Sequence, residues 1–144
     1  ALAVEADGAH IGQDDMPAPL ARRLLGSDRV LGVSAGNMEE AATAVAAGAD
    51  YLGVGPIYPT LGKADAGPAT GVSLLTELAA LYSTPLIAIG GINAANVEEV
   101  MQAGATGVAV ITAVVNAEDI AAAAHQLRSI VDASRGSHGT KAIQ

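Results

Sequence analysis

Short apolar runs alternate along the chain with longer stretches in which apolar residues recur at helical spacing. The runs fall near residues 9–12, 29–34, 51–55, 86–90 and 107–111. The helical stretches cover about 17–25, 38–47, 71–82, 94–103 and 117–133. One junction recurs: an Ala-rich helical stretch ends at Gly or an acidic residue, and an apolar run follows. It reads Glu5-Ala6-Asp7-Gly8-Ala9-His10-Ile11-Gly12, then Ala47-Gly48-Ala49-Asp50-Tyr51-Leu52-Gly53-Val54-Gly55, then Ala103-Gly104-Ala105-Thr106-Gly107-Val108-Ala109-Val110-Ile111. The Gly suits the position just past a helix, where a left-handed residue ends it. Near-continuous apolar runs are expected of parallel strands buried on both faces. Asn37 with Glu40, and Asn93 with Asn96, carry helix-start signals.

Regular alternation of strand and helix predicts a parallel α/β architecture. Five such units fill the 144 residues, whereas a closed (β/α)8 barrel usually takes roughly 200 residues or more. Two architectures remain: an open sheet, or a (β/α)8 TIM barrel without its first three or so βα units. Ala1 to Ala6 reads as the end of a helix that starts earlier, which favours the second. Residues 1–133 then form a partial barrel domain, and the polar, Gly-containing segment 134–144 reads as a tail or linker.

Composition narrows the function. Half the residues are hydrophobic and 15% are charged, so a core can form. The net charge of -8, seven scattered Lys and Arg, and the absence of Phe and Trp argue against nucleic acid as a partner. No apolar run nears the ~18 residues of a membrane helix, and no basic segment followed by an apolar one marks a signal peptide. Zero cysteine excludes disulfides, Cys-ligated zinc and thiol catalysis, and fits a cytoplasmic protein.

Candidate chemistry collects where parallel α/β proteins place it, at the C-terminal ends of strands. Asp14 and Asp15 follow the first strand; one of them can ligate Mg²⁺, or both can belong to the first turn of the next helix. Ser34 ends the second strand, able to donate to a phosphate or to cap a helix. The long segment from Gly55 to Pro68 carries Thr60 and Lys63, the one Lys before residue 134 and a natural anion ligand. Gly90-Gly91 and Ile111-Thr112 sit where the last strands of a barrel bind phosphate through backbone N–H groups. His10 alternates with apolar residues and reads as a packed strand residue. His125 and His138 read as solvent-facing, and no two His have metal-ligand spacing.

Together, His10-Ile11-Gly12-Gln13-Asp14-Asp15, Gly32-Val33-Ser34-Ala35, Asp50 through Thr60, Ala88-Ile89-Gly90-Gly91-Ile92 and Gly107 through Ile111 resemble the thiamine-phosphate synthase family, in order from Ala1 to about Val131. The resemblance implies a (β/α)8 barrel that joins hydroxymethylpyrimidine diphosphate to thiazole phosphate and releases diphosphate with Mg²⁺. It implies Asp15 as a metal ligand and Ser34 on the diphosphate. It implies Thr60, Leu61, Gly62 and Lys63 on the substrate loop, with Ser34 and Lys63 as the catalytic pair. Gly91, Ile111 and Thr112 fall on the thiazole-phosphate site. Small-molecule substrates are the implied partners, with homo-oligomerisation left open.

Two departures stand out. Gly36 replaces the family's usual His, and Thr60-Leu61-Gly62-Lys63 lacks one hydroxyl of the usual Thr-x-Thr-Lys. A thiazole tautomerase-like relative would keep a His at position 36 and lack the acidic pair. A non-catalytic phosphate-binding barrel fragment is the other alternative. Without a basic strand and an Asn-Asp pair from the first units, the expectation is that these 144 residues alone form no thiamine phosphate.

Overall fold

The computed structural model describes residues 1–60 and 67–137. Five strands form one parallel sheet: β1 (Gly8–Ile11), β2 (Val30–Ala35), β3 (Tyr51–Val54), β4 (Leu86–Ile89) and β5 (Gly107–Ala109). Between them run α1 (Ala18–Leu25), α2 (Met38–Ala46), α3 (Ser73–Leu81) and α4 (Val97–Gln102), followed by α5 (Thr112–Val115) and α6 (Ile120–Ser137). The strands lie side by side in chain order, each pair parallel. A doubly wound sheet reverses direction from its first strand; this one does not. Right-handed crossovers without reversal carry every connecting helix to the same face.

Burial follows that winding. Leu31, Val33 and Ala35 on β2, Leu52 and Val54 on β3, and Leu86 and Ala88 on β4 are buried. They share one core with Ala21 and Leu25 of α1, Ala41 and Ala44 of α2, Leu74, Leu75 and Leu78 of α3, and Val97, Val100 and Met101 of α4. Burying each Leu fully stabilises the fold by about 1.5–3 kcal/mol. The alternate residues Gly32, Ser34, Gly53 and Ile87 share the opposite face, and Ile89 there is 40% exposed. The strands are thus not equally buried on both faces, as their apolar runs suggest. Small residues at alternate positions of β2 and β3 make those runs look uniform while leaving that face shallow.

Local chemistry sets the boundaries. Asn37 accepts from the Glu40 amide at 2.9 Å, and the Glu40 carboxylate accepts from the Gly36 amide at 2.7 Å, so α2 starts on a reciprocal cap. Asn93 accepts from the Ala95 amide at 2.9 Å in the turn that leads to α4. Three features differ from the sequence reading. Residues 2–4 form a 3-10 turn, closed by Glu5 in a left-handed conformation (φ 52°). α5 is an added short helix after β5. α6 continues through 134–137, residues read as tail, because Ser134 is buried and Arg135 donates to the Thr106 carbonyl beside β5. Residues 138–144 lie outside the described residues.

At the edge away from the strand C-termini, Arg22 ties two turns together. It donates to the carbonyls of Gly26, Arg29 and Gly48 and pairs with Asp50. Asp50 also accepts from the Leu31 amide at 2.7 Å, so it joins β2 to β3. The Leu31 amide and the Arg22 hydrogen bond hold the Asp50 carboxyl below its ordinary 3.8. A carboxyl depressed in the folded state adds stability above that ordinary value and loses it as pH falls further through the folded one. Asp50→Asn is expected to cost about 1 kcal/mol at neutral pH, discounted for its exposure. Urea melts should show that difference shrinking below about pH 4; an equal cost at pH 3 and pH 7 would contradict the assignment.

Candidate functional site

The C-terminal ends of all five strands open into one cleft of about 710 Å³. Its lining brings together Asp14 after β1, Ser34 at the end of β2 and Thr60 after β3. Gly91 after β4, and Ile111 and Thr112 after β5, complete the far wall. The sequence placed these residues up to 98 positions apart (14 to 112). Parallel strands in register place them on one rim. Leu61, Gly62 and Lys63 lie outside the described residues.

The far wall is built from backbone. Gly91 has φ +66°, and a Cβ there would stand 2.7 Å from Tyr58 Cβ and 2.9 Å from the Pro59 carbonyl. Only a residue without a side chain lets the β4 turn sit so close to the segment after β3. The amides of Ile57 and Tyr58 donate to the carbonyls of Ile89 and Gly90 at 2.9 and 3.1 Å, locking the two segments. Tyr58 then donates to Glu99 of α4 at 2.7 Å. Partial burial, then the Glu99 hydrogen bond and charge, push its hydroxyl up to about 12, so it stays a donor. Among the described residues, the N–H groups of Gly91, Ile111 and Thr112 donate to no protein acceptor. Free amides converging on a cleft suit an anion.

The acidic pair divides its work. Asp14 lines the cleft. Asp15 Oδ2 accepts from the Gly12 amide at 2.7 Å, which folds that side chain back on the strand end. Among the described residues no three His, Asp or Glu side chains cluster tightly enough to hold a metal. Mg²⁺ needs fewer: it keeps several waters and takes one or two carboxylates plus substrate phosphate. The donor set fits a cation that arrives with a phosphate ligand.

On the near wall, sequence reasoning missed His10. It is not a packed strand residue but a cleft-lining one. Nδ1 lies 2.9 Å from the Tyr51 hydroxyl and Nε2 lies 2.9 Å from Ser34 Oγ. Partial burial lowers its pKa below the ordinary histidine value, against the opposing charge of Asp15. Gln13 Nε2 donates to the Ser34 carbonyl at 2.6 Å. His10, Gly32 and Tyr51 are register partners across three strands. A Cβ on Gly32 would stand 2.1 Å from Tyr51 Cζ and 2.5 Å from His10 Nδ1, and one on Gly53 would stand 2.9 Å from His10 Cε1. The signal was present in the sequence. At one parity, otherwise apolar strands carry His10, Gly32, Ser34, Tyr51 and Gly53.

Comparisons with known proteins agree with one another. The family model described as thiamine monophosphate synthase matches residues 1–114. The thiamine-phosphate synthase of Moorella thermoacetica is 55% identical over 94% of this chain and 65% of its own length. That of Chloroflexus aurantiacus is 56% identical over 94% of this chain and 62% of its own. The solved thiamine phosphate pyrophosphorylase from Pyrococcus furiosus superposes with a TM-score of 0.84 at 42% identity, covering 93% of this chain and 63% of that one. The chain therefore spans a little under two thirds of each of these relatives. Among the described residues, no helix is long and apolar enough to cross a membrane.

The row of small residues yields a prediction. Gly32→Ala should destabilise the chain by about 1–3 kcal/mol through overpacking. Because the shortest contacts are with the Tyr51 ring, beside a further one with His10, the same change in a Tyr51→Ala background should cost at least about 0.5 kcal/mol less. Additive costs in chemical denaturation would mean that Gly32 is not there to clear the ring.

Proposed function

The chain belongs to the thiamine monophosphate synthase family, and from that membership we propose that it carries most of a magnesium-dependent site joining a pyrimidine diphosphate to a thiazole phosphate. The observation that supports this is the convergence on one cleft of a carboxylate, two hydroxyls and free amides: Asp14, Ser34, Thr60 and the Gly91, Ile111 and Thr112 backbone. We read the sheet as five consecutive staves of a (β/α)8 TIM barrel, since sequential winding with helices on one face is how such a barrel is built. A soluble, cytoplasmic enzyme of small-molecule substrates follows from this reading, and its oligomeric state does not.

The proposed reaction breaks the C–O bond between the pyrimidine methylene and its diphosphate and forms a C–N bond to the thiazole nitrogen. The electron pair of the broken bond leaves with diphosphate, and the nitrogen lone pair closes on the carbocation. No proton need move for that bond to form, which suits a cleft built for positioning. Ser34 donates to the departing diphosphate, and Lys63, carried over from the family resemblance, neutralises it. Asp15, or Asp14 beside it, would hold Mg²⁺, which would supply positive charge to the leaving group. The amides of Gly91, Ile111 and Thr112 hold the thiazole phosphate and so fix the nitrogen in line. Gly36 lines the cleft without an imidazole, so the tautomerase-like alternative lacks its expected catalyst.

The test is product formation by the native polypeptide given both substrates and Mg²⁺, read by mass spectrometry. Thiamine phosphate is expected, and chelation should abolish it. Lys63→Ala and Ser34→Ala should each lower turnover by about 10²–10³-fold if they meet the leaving diphosphate. Gly91→Ala should mainly raise the KM for thiazole phosphate, because φ +66° and the Tyr58 contact exclude a Cβ. Unchanged kinetics in all three variants would remove the site assignment.

A further inference from the structure

The hydrogen-bonded chain Tyr51–His10–Ser34 has a direction that the proposed reaction does not itself require. A neutral imidazole has one donor nitrogen and one acceptor. Tyr51 Oη has His10 Nδ1 as its one hydrogen-bond partner among the described residues, at 2.9 Å. A phenol hydroxyl with one partner spends its single proton there, because it donates better than it accepts. Nδ1 is then the acceptor, and the ring proton sits on Nε2. Nε2 faces Ser34 Oγ at 2.9 Å, so Ser34 receives a hydrogen bond. The serine's own proton is left free.

We propose that His10 is a positioning residue: held by Tyr51 as the Nε2–H tautomer, it donates to Ser34 Oγ and turns the Ser34 O–H into the cleft as a donor for an anionic oxygen. The opposite tautomer would draw the Ser34 proton back toward Nε2 and present oxygen lone pairs to the anion. The fold fixes the chain at both ends. Gly32 and Gly53 leave the space that the two rings occupy, since a Cβ on either would overlap His10. Gln13 holds the Ser34 carbonyl at 2.6 Å, so the residue cannot turn as a whole. The inference rests on the proposed function only for what Ser34 meets, a diphosphate oxygen.

The experiment is nitrogen-15 NMR on chain labelled at its three histidines, at about pH 8, where His10, its pKa lowered by burial, is neutral. His10 is assigned by its loss in His10→Gln. The expected spectrum has His10 protonated at Nε2 and bare at Nδ1. In Tyr51→Phe the two nitrogens should move toward the average of a tautomer mixture. Inorganic diphosphate with Mg²⁺ should bind Tyr51→Phe about 3- to 10-fold more weakly, the worth of one ordinary hydrogen bond. Ser34→Ala should lose that dependence on Tyr51. A parent spectrum with the proton on Nδ1 overturns the proposal without any variant. So does a Tyr51→Phe spectrum identical to the parent's. A parent that shows the Nε2–H tautomer yet binds no diphosphate supports the orientation of Ser34 and instead removes the diphosphate reading of the cleft.

Discussion

Winding governs the molecule. Five parallel strands laid down in chain order, joined by crossovers of one hand, send the connecting helices to one face. That face becomes the core, where Leu31, Leu52, Leu75, Leu78 and Leu86 are almost wholly buried. The other face carries Gly32, Ser34, Gly53 and Ile87. Gly32 and Gly53 leave room there for the His10 and Tyr51 rings.

The same winding explains why one wide cleft opens at one rim. Each strand ends at the same edge, so each following turn adds its own group to a shared cleft. Side chains come from the first three turns and backbone amides from the last two. At the β4 turn the cause is steric. The turns after β3 and β4 run so close together that Gly91 has no room for a side chain, and only its N–H can serve. The opposite edge has a different task. There Arg22 and Asp50 gather carbonyls from two turns and an amide of β2 and hold the sheet in register.

Much of this was legible before any coordinates. Strand and helix positions followed from apolar periodicity, because a run of four to six residues and a helical repeat leave different spacings. The residues gathered at the cleft followed from one rule, that parallel strands present their C-terminal ends together. His10 did not follow. Alternation with apolar neighbours makes a histidine look like packing, and its partners Tyr51 and Ser34 lie 41 and 24 residues away. The roles of Asp14 and Asp15 were likewise open, since adjacent residues point apart and only the Gly12 amide decides which one turns back.

The sequence by itself determined the order of the five strands and the helices that connect them, and the edge on which the cleft opens. These depend on spacing within a few residues, on glycine and on caps such as Asn37 with Glu40, all of them local. Tertiary structure alone decided which hydroxyls His10 touches and how closely the β4 turn approaches the segment after β3. Those are distances between residues far apart in the chain. They are set by sheet register and by the space that a missing Cβ leaves, and no local pattern records either.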